Sequence, residues 1–192
     1  MGMKYFDMLL RFHHRRSSHT YRALSLFVGA IFFLVILPVV FFLLGEALNR
    51  FITIDLSEEY ILPVGILSVV FGLFFLVWAT ITQLTLGGGT PAPNAPTQKL
   101  VIRGPYRHTR NPIEFGALFY YLGIGILFGS LFHGLICMLL GLIFGSSYHK
   151  FIEEKELLLR FGEEYINYRN LTPFLIPHFW KYNANKGIDR AR

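Results

Sequence analysis

Residues 23–44 and 61–81 contain no Asp, Glu, Lys or Arg, and each run is long enough to cross about 30 Å of hydrocarbon at about 1.5 Å per residue. Lipid offers a peptide group no hydrogen-bond partner, so such runs must satisfy their own N–H and C=O groups as helices. Residues 113–148 are constrained in the same way. Apart from tyrosine and cysteine, their only titratable side chains are Glu114 and His133, yet the stretch is about twice the length of one span. It must fold back on itself, and Gly129-Ser130 with His133-Gly134 supplies the turn, giving antiparallel helices near 113–128 and 131–148. The expected fold is all-α: a polytopic membrane protein with about four transmembrane helices.

Composition agrees. The 192 residues are 53% hydrophobic with a mean hydropathy of +0.46, above the share of about 45–50% usual in soluble domains. The first apolar run is longer than a secretory signal core and no small-residue cleavage pattern follows it, so it is expected to remain as an anchor. Cys137 has no partner in the chain, which excludes an internal disulfide framework and a cysteine-based zinc site; no metal is expected.

Charge sets the expected orientation. Lys4, Arg11, Arg15, Arg16 and Arg22 precede the first span, Lys99, Arg103, Arg107 and Arg110 lie between the second and third, and eight more cations follow the fourth. The remaining loop holds Arg50 alone among Glu46, Asp55, Glu58 and Glu59. The positive-inside bias then places both termini and the 82–112 loop in the cytoplasm. It also accounts for the net charge of +6 without a nucleic-acid partner.

Residues 1–21 read either as a helix lying in the interface or as a basic tail that sets topology. Gly and Pro dominate 87–96, a linker or lid that cannot continue a helix. From Lys150 the pattern turns amphipathic, so the fourth helix should run beyond the bilayer to a stop at Gly162, followed by a short helix over 163–168 and a tail extended by Pro173 and Pro177. Gly125-x-x-x-Gly129 and Gly141-x-x-x-Gly145 read as close-packing faces. No phosphate-loop or dinucleotide-binding fingerprint is present. The chain divides into an N-terminal segment with two spans and a linker (1–97), a C-terminal functional region (98–180) and a tail (181–192).

Two motifs carry chemistry. Gly104-Pro-Tyr-x-x-x-Arg110-Asn-Pro112 sits at the entry to the third span, and Glu153-Glu-x-x-Leu157-x-x-x-Phe161-Gly-x-x-Tyr165-x-x-Tyr168 lies about forty residues on. Together, over 98–177, they resemble the isoprenylcysteine carboxyl methyltransferase and phospholipid methyltransferase superfamily. The resemblance implies an integral-membrane methyltransferase with a cytoplasmic S-adenosylmethionine pocket formed by the last two spans and their extensions, and a lipid-side tunnel for a hydrophobic acceptor. By that similarity Gln98, Lys99, Leu100, Val101 and Tyr106 wall the adenosine, Asn111, Pro112, Ile113 and Glu114 border the cofactor's charged end, and Glu153 accepts hydrogen bonds from it.

The residue types allow these roles and simpler ones beside them. Asn111 and Pro112 suit the N-cap and first turn of a helix, whose free N–H groups would also hold a carboxylate. Arg110 is placed by the resemblance near the reacting end, where a fixed cation orients a carboxylate; its other reading is a headgroup anchor. Glu114, where many relatives have tyrosine, either offsets the helix dipole or contacts a cationic group. His149 stands one turn before Glu153 as a general base, a carboxylate partner or neither. Arg110, Glu114 and His149 are the candidate catalytic set. Glu154 and Glu156 read as solvated i,i+4 partners of Lys150 and Arg160, Tyr165 and Tyr168 as either cofactor-pocket or interfacial aromatics, and His133 as polar filler.

The acceptor is expected to be lipid-like or a small hydrophobic molecule bearing a carboxylate, amine or thiol. Two alternatives stand beside it: an NADPH-dependent lipid or sterol reductase, which resembles the same C-terminal architecture, and a non-catalytic membrane protein of the same fold.

Overall fold

A computed structural model of the chain describes residues 18–49, 54 and 56–178. The amphipathic segment expected before Ser18 and the tail 181–192 lie outside the described residues. Among the described residues there is no strand.

Besides a single 3-10 turn at Gly104–Arg107, the described residues form four long helices: α1 (His19–Asn49), α2 (Glu58–Gly87), α3 (Pro112–Phe128) and α4 (Leu131–Leu171). The first, second and fourth are long and apolar enough to cross a membrane, while α3 is a shorter apolar helix of 17 residues, at the lower end of what a span requires. Phe27, Leu67, Val70, Phe74 and Ile143 are more than half exposed on the outer faces, where an integral membrane protein meets lipid rather than water.

The central helix is α3, packed between α2 and α4, with α1 resting on the outer side of α4. Glycines bring α2 and α3 together: a Cβ on Gly72 would lie 2.6 Å from the Gly116 carbonyl oxygen, and one on Gly123 would lie 2.7 Å from that of Gly65. These two pairs repeat at seven residues on antiparallel helices, so backbones approach along the whole contact. Of the glycines read as packing faces, Gly125 abuts Gly134 across the α3–α4 turn, Gly141 abuts Tyr121 and Gly145 abuts Glu114.

Proline breaks the α1 ladder and tyrosine mends it. Pro38 has no N–H for the Leu34 carbonyl, and the turn Phe32–Ile36 widens to the π form, with the Leu37 N–H reaching back to Phe32. The two carbonyls left over are taken from α3: Tyr120 donates to Leu34 O at 2.8 Å and Tyr121 to Phe33 O at 3.0 Å. In lipid no water could do this.

α4 continues past the apolar stretch through a second π turn, His149–Glu153, and breaks at Gly162, whose φ of 52° lies in the left-handed region. The stop expected at Gly162 and the short helix after it are both present. The residues beyond α4 are a strap rather than a free extension. Arg110 N–H donates to Pro173 O at 2.9 Å, the Thr109 hydroxyl and Asn111 amide both donate to Phe174 O, and His178 N–H donates to His108 O. The strap is thus sewn to the loop that leads into α3.

Candidate functional site

The loop end of the bundle is where the two motifs meet. Arg110, at the entry to α3, forms an ion pair of 2.5 Å with Glu154 on α4, reaches the Tyr165 hydroxyl at 3.4 Å, and lies over the Phe174 ring at 5.5 Å. Its partner is therefore the glutamate expected to pair with Lys150 in solvent. The Lys150 ammonium sits instead above Phe174, 5.9 Å from the ring centre.

A chain of acids and one imidazole follows. Glu114 is buried in the first turn of α3, accepts from Ser146 Oγ at 2.6 Å, and lies 3.5 Å from His149 Nε2; His149 Nδ1 bonds Glu153. The imidazole is thus held between two carboxylates, a placement the i,i+4 spacing of His149 and Glu153 provides on one side and tertiary packing on the other. Gly145 lets α4 approach the Glu114 side chain, since a Cβ there would stand 3.0 Å from Oε1.

Two expectations of solvent or lipid contact are corrected by burial. Glu156 and Arg160 do form the i,i+4 pair, at 2.8 Å, but it is buried, and Arg160 also holds the carbonyl of Thr97, the residue that follows the 87–96 linker. Tyr165 and Tyr168 face inward, and Tyr168 donates to the Tyr106 carbonyl at 2.7 Å. At the opposite end His133 is also buried, bonded to Ser130 and Glu46 and stacked on Phe42. Asn111 occupies the N-cap position but makes no side-chain cap; its amide is turned to Phe174, so the first-turn N–H groups of α3 keep no side-chain acceptor.

One cavity of about 910 Å³ joins these groups. Val101, Tyr106, Arg110, Asn111, Pro112, Ile113, Glu114, His149 and Glu153 line it, bringing together nine of the residues singled out from the sequence. Gln98, Lys99 and Leu100 do not: Lys99 is exposed, and the Gln98 N–H and amide bond Gly87 O and Pro96 O. Residues the sequence did not single out also line it. They include Gln83, in the π turn that ends α2, Arg160, and most of the linker from Thr90 to Thr97.

Beside these polar groups the cavity is apolar, walled by Leu24, Val28 and Phe32 of α1 and Leu73, Val77 and Ile81 of α2. Its floor is the packed cluster of Leu37, Phe41, Tyr121 and Cys137. Several wall residues, among them Leu24, Val28, Val77 and Ile81, are exposed, and α1 packs chiefly on α4 rather than on α2, so the apolar limb lies open between α1 and α2.

The polar limb holds atoms that the protein leaves unpaired. Gln83 Oε1, the Tyr106 hydroxyl, Arg110 Nε, Glu114 Oε2 and Arg160 Nε are all buried without a hydrogen bond. Such groups cost about 1–3 kcal/mol each and are rare in native proteins. Burial, with Glu153 and Tyr168 adding to it, pushes the Tyr106 phenol well above its ordinary 10.0, so it stays protonated as a donor.

A family model for phospholipid methyltransferases matches residues 60–164, more than half of the chain. The chain belongs to the phospholipid methyltransferase family. The match reaches from the first turn of α2 to just past the Gly162 break. It therefore takes in a helix that the two sequence motifs, confined to 98–177, left out. No curated protein and no solved structure matches the chain. Membership in the phospholipid methyltransferase family makes this an integral-membrane methyltransferase of a group that acts on lipids.

Proposed function

We propose that the protein transfers a methyl group from S-adenosylmethionine to a lipid-like or small hydrophobic acceptor bearing a carboxylate, amine or thiol, in the manner of the isoprenylcysteine carboxyl methyltransferases. The observation that carries this reading is the single cavity in which unpaired buried polar atoms at one end continue into an apolar limb open toward lipid.

S-adenosylmethionine brings a carboxylate, an ammonium and an adenine, and its sulfonium supplies the methyl group. The residues present fit it. Arg110 Nε and the uncapped first turn of α3 suit the carboxylate, Glu153 and Glu114 suit the ammonium, and the apolar surface of Val101, Tyr106 and Ile113 suits the adenine. The α1–α2 opening suits an acceptor whose tail stays in the bilayer while its head reaches Glu114 and His149. Alignment in a site poor in water supplies most of the effect, up to about 7–11 kcal/mol in favourable cases. An anionic head would be oriented by Arg110, and a protonated one would lose its proton to the Glu114–His149–Glu153 chain. The charge bias of the loops supports a cytoplasmic face for this end and for both termini.

Membranes containing the protein, incubated with methyl-labelled S-adenosylmethionine, are expected to yield a labelled organic-soluble product. Thermal unfolding of the purified protein is expected to rise with S-adenosylmethionine and not with NADPH. Stabilisation by NADPH alone would reject methyl transfer, and stabilisation by neither, with no labelled product, would leave a fold without the activity.

A further inference from the structure

Gln83 has an environment that its helix alone does not explain. Ala79, one turn earlier on the same face of α2, packs with Val101 and Tyr106 in a small buried cluster against Ile113, and the π turn Gln83–Gly87 follows at once. The Gln83 side chain reaches the Tyr106 hydroxyl from its amide side, and both residues line the cavity. Gln83 Oε1 is buried with no hydrogen bond, and the Tyr106 hydroxyl, whose polar neighbour is that amide, makes none of full geometry, so its proton is left to donate. An amide acceptor and a phenol donor thus line the cavity together with apolar Val101 and Ile113.

We infer that Gln83 and Tyr106 read the edge of the adenine ring, Gln83 Oε1 accepting from the exocyclic amine and the Tyr106 hydroxyl donating to a ring nitrogen. Adenine presents a donor and an acceptor on one edge, the complement of what the two side chains offer, and a glutamine amide is a known match for that edge. The side chains of Val101 and Ile113, which also line the cavity, take the ring's apolar surface. The inference rests on the methyltransferase reading above and adds a residue the sequence did not mark. Glutamine at the end of a transmembrane helix carries no motif, and only the packing of α2 against the 101–106 loop brings it to the site.

The test is binding to the full-length purified protein by calorimetry, so activity does not enter. Two probes are compared: S-adenosylhomocysteine, and its analogue with purine in place of adenine, in which the amine is replaced by hydrogen. The unmodified protein is expected to bind the analogue about tenfold more weakly, the effect of one buried hydrogen bond. Gln83→Met, similar in length and a good helix former, is expected to bind both probes within about twofold of each other. Tyr106→Phe is expected to weaken both probes equally, since the ring nitrogen is present in each, and thermal unfolding establishes that each variant is folded.

A tenfold gap that survives in Gln83→Met, an unmodified protein that does not distinguish the probes, or a Tyr106→Phe variant with unchanged affinity for both overturns the inference while the methyltransferase reading stands. If the two oxygens simply serve each other, the substitutions lower the unfolding temperature and leave the gap intact, which is the first of these outcomes. Failure of the unmodified protein to bind either probe overturns both readings.

Discussion

Arg110 serves two masters, and a single substitution cannot separate them. Arg110→Ala removes the cation that borders the cavity and strands Glu154, so it is expected to lower stability by about 3 kcal/mol or less, because both side chains keep some solvent contact. Arg110→Ala/Glu154→Ala should recover much of the unfolding temperature while methyl transfer stays abolished. Turnover that returns with stability would make Arg110 a purely structural residue. Glu153→Ala is likewise expected to abolish turnover while the protein still inserts. Tyr106 gives a pH signature of opposite interest. Its phenol is raised in the folded state above the unfolded value of 10.0, so the folded protein holds its proton longer, and the stability this confers is intact below about pH 10 and declines as pH rises further. Tyr106→Phe should flatten that alkaline decline in thermal unfolding. Residue types in the two motifs were readable as site chemistry, but their partners were not. Lys150 and Glu154 fail to pair because the turn His149–Glu153 closes from Glu154 N–H to His149 O, one residue wider than an α turn, while Glu154 is claimed by a cation 44 residues away. Asn111 has the right type and place for a cap, yet a tail carbonyl takes its amide.

At the scale of elements, hydropathy made the spans, their fold-back and the Gly162 break legible, because lipid leaves the backbone a single solution. The contacts between spans were harder to see. Gly65, Gly72, Gly116 and Gly123 form two heptad-spaced pairs that no four-residue motif reveals, and the four-residue glycine motif at Gly141 and Gly145 serves a tyrosine and a glutamate rather than a helix backbone. Gly72→Ala should therefore lower the unfolding temperature sharply, since the added Cβ would stand 2.5 Å from Tyr120 N, whereas Gly29→Ala meets nothing within 4 Å and should be neutral or slightly stabilising. Circular dichroism on the two variants in the same lipid separates them. Equal behaviour would mean that α2 and α3 do not pack through these glycines. The strap after α4 was readable only as an extended, proline-bearing tail, because it offers residues 108–111 its own backbone groups, Pro173 O, Phe174 O and His178 N–H, which carry no side-chain pattern.

The molecule as a whole gathers its cavity-lining titratable and hydrogen-bond-deficient groups at one end, with an apolar limb open between α1 and α2 beside them. The lysine and arginine bias of the loops is the ground for the proposed inward orientation of that end, and the buried Cys137 makes the orientation easy to measure. With an impermeant maleimide on intact cells, Glu59→Cys should label and Lys99→Cys should label only after permeabilisation; the reverse would turn the protein over. What the sequence left open was how far the site extends beyond residues 98–180, because Gln83 and the walls of α1 and α2 join it only through packing. The opening between α1 and α2 has a kinetic corollary. One reactant dissolves in water and the other diffuses in two dimensions, so the second is measured by its mole fraction in the sheet and not by its amount in the tube. With S-adenosylmethionine kept saturating, adding inert phospholipid at fixed quantities of enzyme and acceptor should slow the reaction by surface dilution, while adding buffer should not.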